Sequence, residues 1–134
     1  MIEKTLSIIK PDAVERNLEK KIKSFFEEKN LIILKSKKVQ ITKEEAAEFY
    51  KVHQTKPFYQ DLCNYLSSGP IVVMILEGVE AISKNRQIMG ATDPLKAEDG
   101  TLRKMYGLSI DKNSVHGSDS LENAKSEIGF FFDK

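Results

Sequence analysis

KPFYQDLCNYLSSGPIVVMILEG, Lys56 to Gly78, reads as helix, turn and strand joined without slack. After Pro57, residues Phe58, Leu62, Tyr65 and Leu66 recur at helical spacing and predict one apolar helix face. SSGP, Ser67 to Pro70, is a strong turn, and Ile71 to Glu77 is the clearest buried strand of the chain. Phe58 stands at the first turn of the helix, where its ring either joins the core or forms one wall of a slot for a planar ligand. Cys63, the single cysteine, cannot form an internal disulfide. Between Leu62 and Leu66 it reads as helix packing rather than a reactive thiol.

Upstream, Thr5 to Ile9 is apolar and β-branched and fits a second buried strand, ended by Lys10-Pro11-Asp12. Lys10 is either a solvated strand end or a cation pointing into a ligand region. Asn17 is expected to cap a helix carrying Leu18, Ile22, Phe25 and Phe26, with Asn30 at its C′ position. Leu31 to Ile41 is extended, and Lys35, Lys37 and Lys38 suit a protected sheet edge. Thr42 and Glu45 form a capping box for a helix carrying Ala46, Phe49 and Tyr50. Tyr50 either packs or offers its phenol to a site. His53, in a polar segment with no acid or glycine beside it, takes a structural or surface role.

Downstream, Val79, Ile82 and Met89 mark a helix stopped by Gly90. Arg86 shares their face, and a cation on an apolar stripe needs a partner, for which phosphate is one candidate. Gly90 to Lys112 has no periodicity beyond a short helix at Thr101 to Met105; loops of that length inside a domain are usually functional. Thr92 and Arg103 lie in it. Asp119 and Glu122 suit the start of a last helix, with Leu121, Ala124, Ile128 and Phe131 or Phe132 facing inward and Glu127 bordering that face.

With 134 residues, 40% of them hydrophobic, the chain suits one domain spanning 1–134. Its 21 basic and 20 acidic residues leave a net charge of +1, which argues against nucleic-acid or membrane-surface binding by bulk electrostatics. The longest aliphatic run is too short to span a bilayer and the N-terminus lacks a signal peptide's apolar segment, so a cytoplasmic location is expected. Eighteen of the basic residues are lysines and only three are arginines, Arg16, Arg86 and Arg103. Arginine's planar fork grips phosphate or carboxylate in a way that lysine's point charge does not.

NSVHGSDS, Asn113 to Ser120, holds His116, followed by a glycine and then by hydroxyl and carboxylate groups. Histidine is the side chain whose ordinary pKa leaves a nucleophilic nitrogen plentiful near neutrality. His116 is therefore the leading candidate for chemistry, beside the alternative of a turn residue. The chain contains no GxxxxGK[ST], no GxGxxG, no protein-kinase motif and no zinc-spaced cluster.

NSVHGSD, RQIMGATDP (Arg86 to Pro94), GTLR (Gly100 to Arg103), IIKPDAV (Ile8 to Val14) and the Lys56 to Gly78 stretch together resemble nucleoside diphosphate kinase, in order and spacing, from the first strand to Glu127. That resemblance implies an α+β, ferredoxin-like βαββαβ fold with the 90–112 loop inserted beside the site. It implies γ-phosphoryl transfer from a nucleoside triphosphate, typically ATP, to a nucleoside diphosphate by way of a phosphohistidine. Carried over, His116 is the nucleophile through Nδ1, and Glu127 holds the other ring nitrogen. Tyr50 and Ser118 lie near the histidine. Arg86, Arg103 and Thr92 bind phosphates, Lys10 reaches the transferred group and the sugar, and Asn113 holds the ribose. Phe58 and Ile110 sandwich the base. Mg²⁺ arrives on the nucleotide, and the family forms homo-oligomers, tetramers or hexamers of dimers.

Three departures from the family pattern stand out. Asp99 replaces a frequent proline, Val52 stands where some relatives carry an acid near the metal, and the chain ends soon after FFF, which leaves tetramer and hexamer both open. A non-catalytic nucleotide-binding regulatory module, or a hydrolase using the same histidine, are the alternatives.

Overall fold

The computed structural model describes residues 2–51, 54–109 and 112–132. Strand β1 (Ile2–Ile9) and strand β3 (Ile71–Val79) pair antiparallel at the centre of a four-stranded sheet. Strand β2 (Ile32–Val39) pairs with β3 on one side, and strand β4 (Val115–Gly117) with β1 on the other. The order β2-β3-β1-β4, all antiparallel, is that of a ferredoxin-like sheet. Helix α2 (Glu19–Glu28) connects β1 to β2, and helix α5 (Ala81–Met89) runs between β3 and β4, completing βαββαβ.

The uninterrupted aliphatic run of β3 has a direct cause. Successive strand residues point to opposite faces, and both faces of this sheet are covered. Val72, Met74 and Leu76 join one core cluster with Ile22 and Phe26 of α2 and Ile88 and Met89 of α5. Ile71 and Val73 join a second cluster with Ala46 of helix α3 (Lys43–Phe49), Cys63 and Leu66 of helix α4 (Tyr59–Leu66) and Phe131 of helix α7 (Leu121–Phe132). Phe26 is fully buried, and truncating such a ring to alanine costs about 3–5 kcal/mol.

Local chemistry sets the element ends. Thr42 Oγ1 accepts from Glu45 N–H at 3.0 Å while the Glu45 carboxylate accepts from Thr42 N–H at 2.9 Å, the expected capping box. Asn30 takes a left-handed φ of 67° after α2. Gly90, with φ 85°, ends α5. Cys63 is buried, and β2 is an edge strand with Lys35, Lys37 and Lys38 exposed, both as expected.

Three expectations are corrected. Asn17 does not cap α2: Pro11 opens a separate short helix α1 (Pro11–Glu15), and Asn17, at φ 61°, is the left-handed joint between the two. Leu18 is the N-cap, without a side-chain bond. Val79 belongs to the end of β3, because Glu80 turns left-handed before α5 begins. Leu121 is 51% exposed, since α7 starts there and its first turn rides over a margin groove beside Ile2 and Lys125; the inward face begins at Ala124.

Candidate active site

His116 lies on a three-residue edge strand whose register is fixed by β1: Ile9 faces Val115, Ile8 faces His116 and Ser7 faces Gly117. Val115 points into the α5 side of the sheet, so His116 points to the other side, toward α3 and α7. There its Nε2 lies 3.1 Å from Glu127 Oε1 on α7. The same carboxylate oxygen accepts from Ser118 Oγ at 2.7 Å, and Ser118 Oγ accepts from Leu6 N–H at 3.3 Å. A backbone bond from Ser118 N–H to the Leu6 carbonyl closes the pair of strands. Phe49, the last residue of α3, meets the imidazole edge to face, with centroids 5.4 Å apart. The ring is therefore held at Nε2 and on one face, which leaves Nδ1 as the nitrogen not engaged by Glu127.

Arg86, Thr92 and Arg103 line one cleft of about 600 Å³. Arg86 is exposed; the buried face of α5 is Ala81, Ile82, Asn85, Ile88 and Met89, so Arg86 stands at the rim of that face and projects into the cleft. Arg103, on helix α6 (Leu102–Tyr106), is buried. Its Nη1 donates to the Gly90 carbonyl at 3.0 Å and its Nη2 to the Val115 carbonyl at 2.9 Å. Burial and the nearby Arg86 charge push the Arg103 guanidinium down to about 10. It stays charged near neutrality, beside a second cation, a pairing suited to an anion, in a cleft that Glu3, Glu80 and Asp119 also line. The hollow that contains His116, Phe49 and Glu127 adjoins this cleft, since Asp119 lines both.

A chain of bonds ties the end of β1 to the start of the long loop. Lys10 Nζ donates to Asn113 Oδ1 at 2.9 Å, and Asn113 Nδ2 donates to the Thr92 carbonyl at 3.1 Å. Lys10 and Asn113 are both buried. Tyr50 is buried as well; burial, then the neighbouring Cys63 and Glu127, hold its phenol above the ordinary range, so it remains protonated. The long loop contains the expected short helix, α6, capped by Thr101, and a 3₁₀ turn at Pro94–Lys96.

Phe58 is not drawn into either hollow. It is the N-cap of α4, 41% exposed, with Lys56 Nζ 5.9 Å from its ring centre. Ile110, its expected partner around a base, lies outside the described residues, as do His53 and Val52.

Sequence reasoning missed three contributors. Phe49 was assigned only to its helix. Arg16 bonds the Asp12 carboxylate at 3.0 Å, the Tyr106 carbonyl at 2.6 Å and Ser114 Oγ at 3.2 Å, clamping the Lys10 turn to the histidine segment; its rarity as an arginine is the available signal. Asn85, buried on α5, carried no signal.

The nucleoside diphosphate kinase family model matches residues 3–134. The chain is 56% identical over 133 residues to the nucleoside diphosphate kinase of Persephonella marina, covering 99% of this chain and 95% of that one. It is 54% identical to that of Rhodospirillum centenum, with 98% and 94% covered. The Aquifex aeolicus nucleoside diphosphate kinase structure superposes with a TM-score of 0.96 at 41% identity, over 98% of this chain and 96% of that one. That of Encephalitozoon cuniculi gives 0.95 at 38%, over 98% and 90%. An imidazole steered by a carboxylate, two guanidiniums in the adjoining cleft and likeness along nearly the whole length converge on one conclusion: the chain belongs to the nucleoside diphosphate kinase family.

Proposed function

We propose that this chain is a single nucleoside diphosphate kinase domain, 1–134, that moves the γ-phosphoryl group of a nucleoside triphosphate, typically ATP, to a nucleoside diphosphate. The observation that carries it is the fixed imidazole: His116 Nε2 is 3.1 Å from Glu127, whose carboxylate Ser118 also steadies. In the first half-reaction the Nδ1 lone pair attacks the γ-phosphorus. The N–P bond forms as the bond from phosphorus to the β,γ-bridging oxygen breaks, and the nucleoside diphosphate leaves with that electron pair. The second half-reaction is the reverse with a new acceptor, so one three-body encounter becomes two symmetric steps.

Each remaining side chain has a task in this cycle. Glu127 keeps one ring orientation and tautomer while charge moves through the imidazole. Arg86 contributes free donors to the phosphates, whereas Arg103, with two donors already on carbonyls, contributes mainly charge. Thr92 binds phosphate from the cleft wall. Lys10 neutralises the transferred group, and Asn113, which Lys10 touches, holds the ribose. Tyr50, protonated, donates toward the reacting region. Phe58 and Ile110 hold the base, and stacking discriminates little between bases. Mg²⁺ bound to the nucleotide would supply charge neutralisation among the phosphates. Its ligands would be phosphate oxygens and water, which suit an ion that keeps much of its hydration shell. The protein acts in the cytoplasm as a homo-oligomer, a tetramer or hexamer of dimers, with nucleotides rather than nucleic acid or membrane as partners; no helix among the described residues is long and apolar enough to cross a membrane.

Incubation with γ-labelled ATP and Mg²⁺ tests this. The expected result is an acid-labile, base-stable label on His116 that GDP discharges. Label lost to water equally fast without GDP indicates a hydrolase. Absence of label indicates a nucleotide-binding regulatory module.

A further inference from the structure

We infer that Asn85 is a positioning residue for His116, acting through one buried water that it shares with Ser7 and Thr5; this rests on the phosphohistidine chemistry proposed above. Asn85 is fully buried on α5, next in sequence to the exposed Arg86. Its carboxamide fills the space where residue 117 would carry a side chain. A Cβ built on Gly117 would meet Asn85 Nδ2 at 2.3 Å and Met89 Cε at 2.8 Å, so only glycine permits this approach. Gly117 is next in sequence to His116. One contact thus sets α5, which carries Arg86, against β4, which carries the nucleophile.

The polar atoms of this slot lack protein partners among the described residues. Both Asn85 Oδ1 and Nδ2 are buried and unpaired, as are Ser7 Oγ and Thr5 Oγ1. Ser7 is the cross-strand partner of Gly117, and Thr5 lies two residues along on the same face of β1. Buried polar groups in folded proteins are nearly always satisfied, and an ordered water needs two to four of them. A carboxamide offers donors and acceptors, and two hydroxyls offer both. One water bridging them ties α5 to β1 by hydrogen bonds, which are directional, and β1 holds β4 in register through the Ser7–Gly117 pair.

The test is the single-turnover rate at which full-length protein phosphorylates His116 from ATP and Mg²⁺, alongside ATP affinity. The wild type is the control: if it takes no label, the phosphohistidine proposal fails and Asn85 is not at issue. Asn85→Leu keeps the branched four-atom outline, with somewhat more bulk, and removes the polarity. Its rate is expected to fall roughly 30-fold or more, since about 1 Å of misplacement costs on the order of 100-fold, with ATP affinity changed less than about threefold. Asn85→Ser, which keeps a hydroxyl and leaves room for a second water, is expected to recover to within about fivefold of wild type. A leucine variant within about threefold of wild type overturns the inference, and so does a serine variant as slow as the leucine one. Should the leucine variant not fold, the pair Ser7→Ala and Asn85→Ala decides. A shared water makes their combined effect on the rate smaller than the product of the single effects, and a full product overturns it. The water itself is read by NMR as a cross-peak between the Asn85 side-chain NH₂ and a long-lived water; its absence from a folded, assigned spectrum overturns that half.

Discussion

Ser118→Ala removes an oxygen that bridges two elements of the site. Ser118 Oγ accepts from the buried Leu6 N–H at 3.3 Å and donates to Glu127 at 2.7 Å. A hydrogen bond to a charged group contributes about 1.5–3 kcal/mol, and leaving a buried donor unpaired costs about 1–3 kcal/mol. Glu127 is partly exposed, which places the first figure at its lower end. The total is about 3 kcal/mol. Unfolding entropy of about 2.1 cal/mol/K per residue gives roughly 0.3 kcal/mol/K for 134 residues, so the melting midpoint should drop by about 10 °C. Glu127 also loses one of its two fixed contacts, and about 1.4 kcal/mol of lost orientation slows His116 phosphorylation roughly tenfold. Scanning calorimetry and single-turnover labelling measure the two effects on one preparation. A midpoint within about 3 °C of wild type together with an unchanged rate refutes the bridging role.

Three further outcomes follow from described contacts. Phe58→Ala should change stability by less than about 0.5 kcal/mol because the ring is so exposed, while nucleotide affinity, by titration calorimetry, weakens by about 1–3 kcal/mol. Arg86→Gln should raise the midpoint of the nucleotide-free protein, because the charge that adds to burial in lowering the Arg103 pKa is gone, and lower ATP affinity in the same protein; a falling midpoint contradicts the proximity of the two cations. Gly90→Ala should cost about 1–3 kcal/mol in denaturant unfolding, because φ is 85° and the new Cβ would meet Thr101 Oγ1 at 2.5 Å.

Local rules made much of the fold legible. The Thr42–Glu45 box, the Gly90 stop, the β3 run and the Thr101 helix depend on residues within a turn of one another. The sheet order does not: it rests on pairings such as Ser7 with Gly117, which no local pattern encodes. The same distance hid Asn17's role, because the helix at Pro11 that displaces it is packed by Ala13 into a core built from distant strands. In the site, the chemistry of His116 and the rarity of Arg86 and Arg103 could be read from residue type. Glu127 as the partner of His116 came only from family resemblance, since an edge-strand histidine and a helix carboxylate meet through tertiary packing. Arg16, Phe49 and Asn85 reach the histidine segment through contacts that exist only once the sheet is assembled.

Arg103 grips the carbonyl at the start of the long loop and the carbonyl just before His116 with a single guanidinium. The loop therefore cannot lift without robbing the histidine's strand of a tether. Any displacement of the α6 segment is thereby passed to Val115, the residue before His116, so the position of that part of the loop and the seating of the imidazole are not independent.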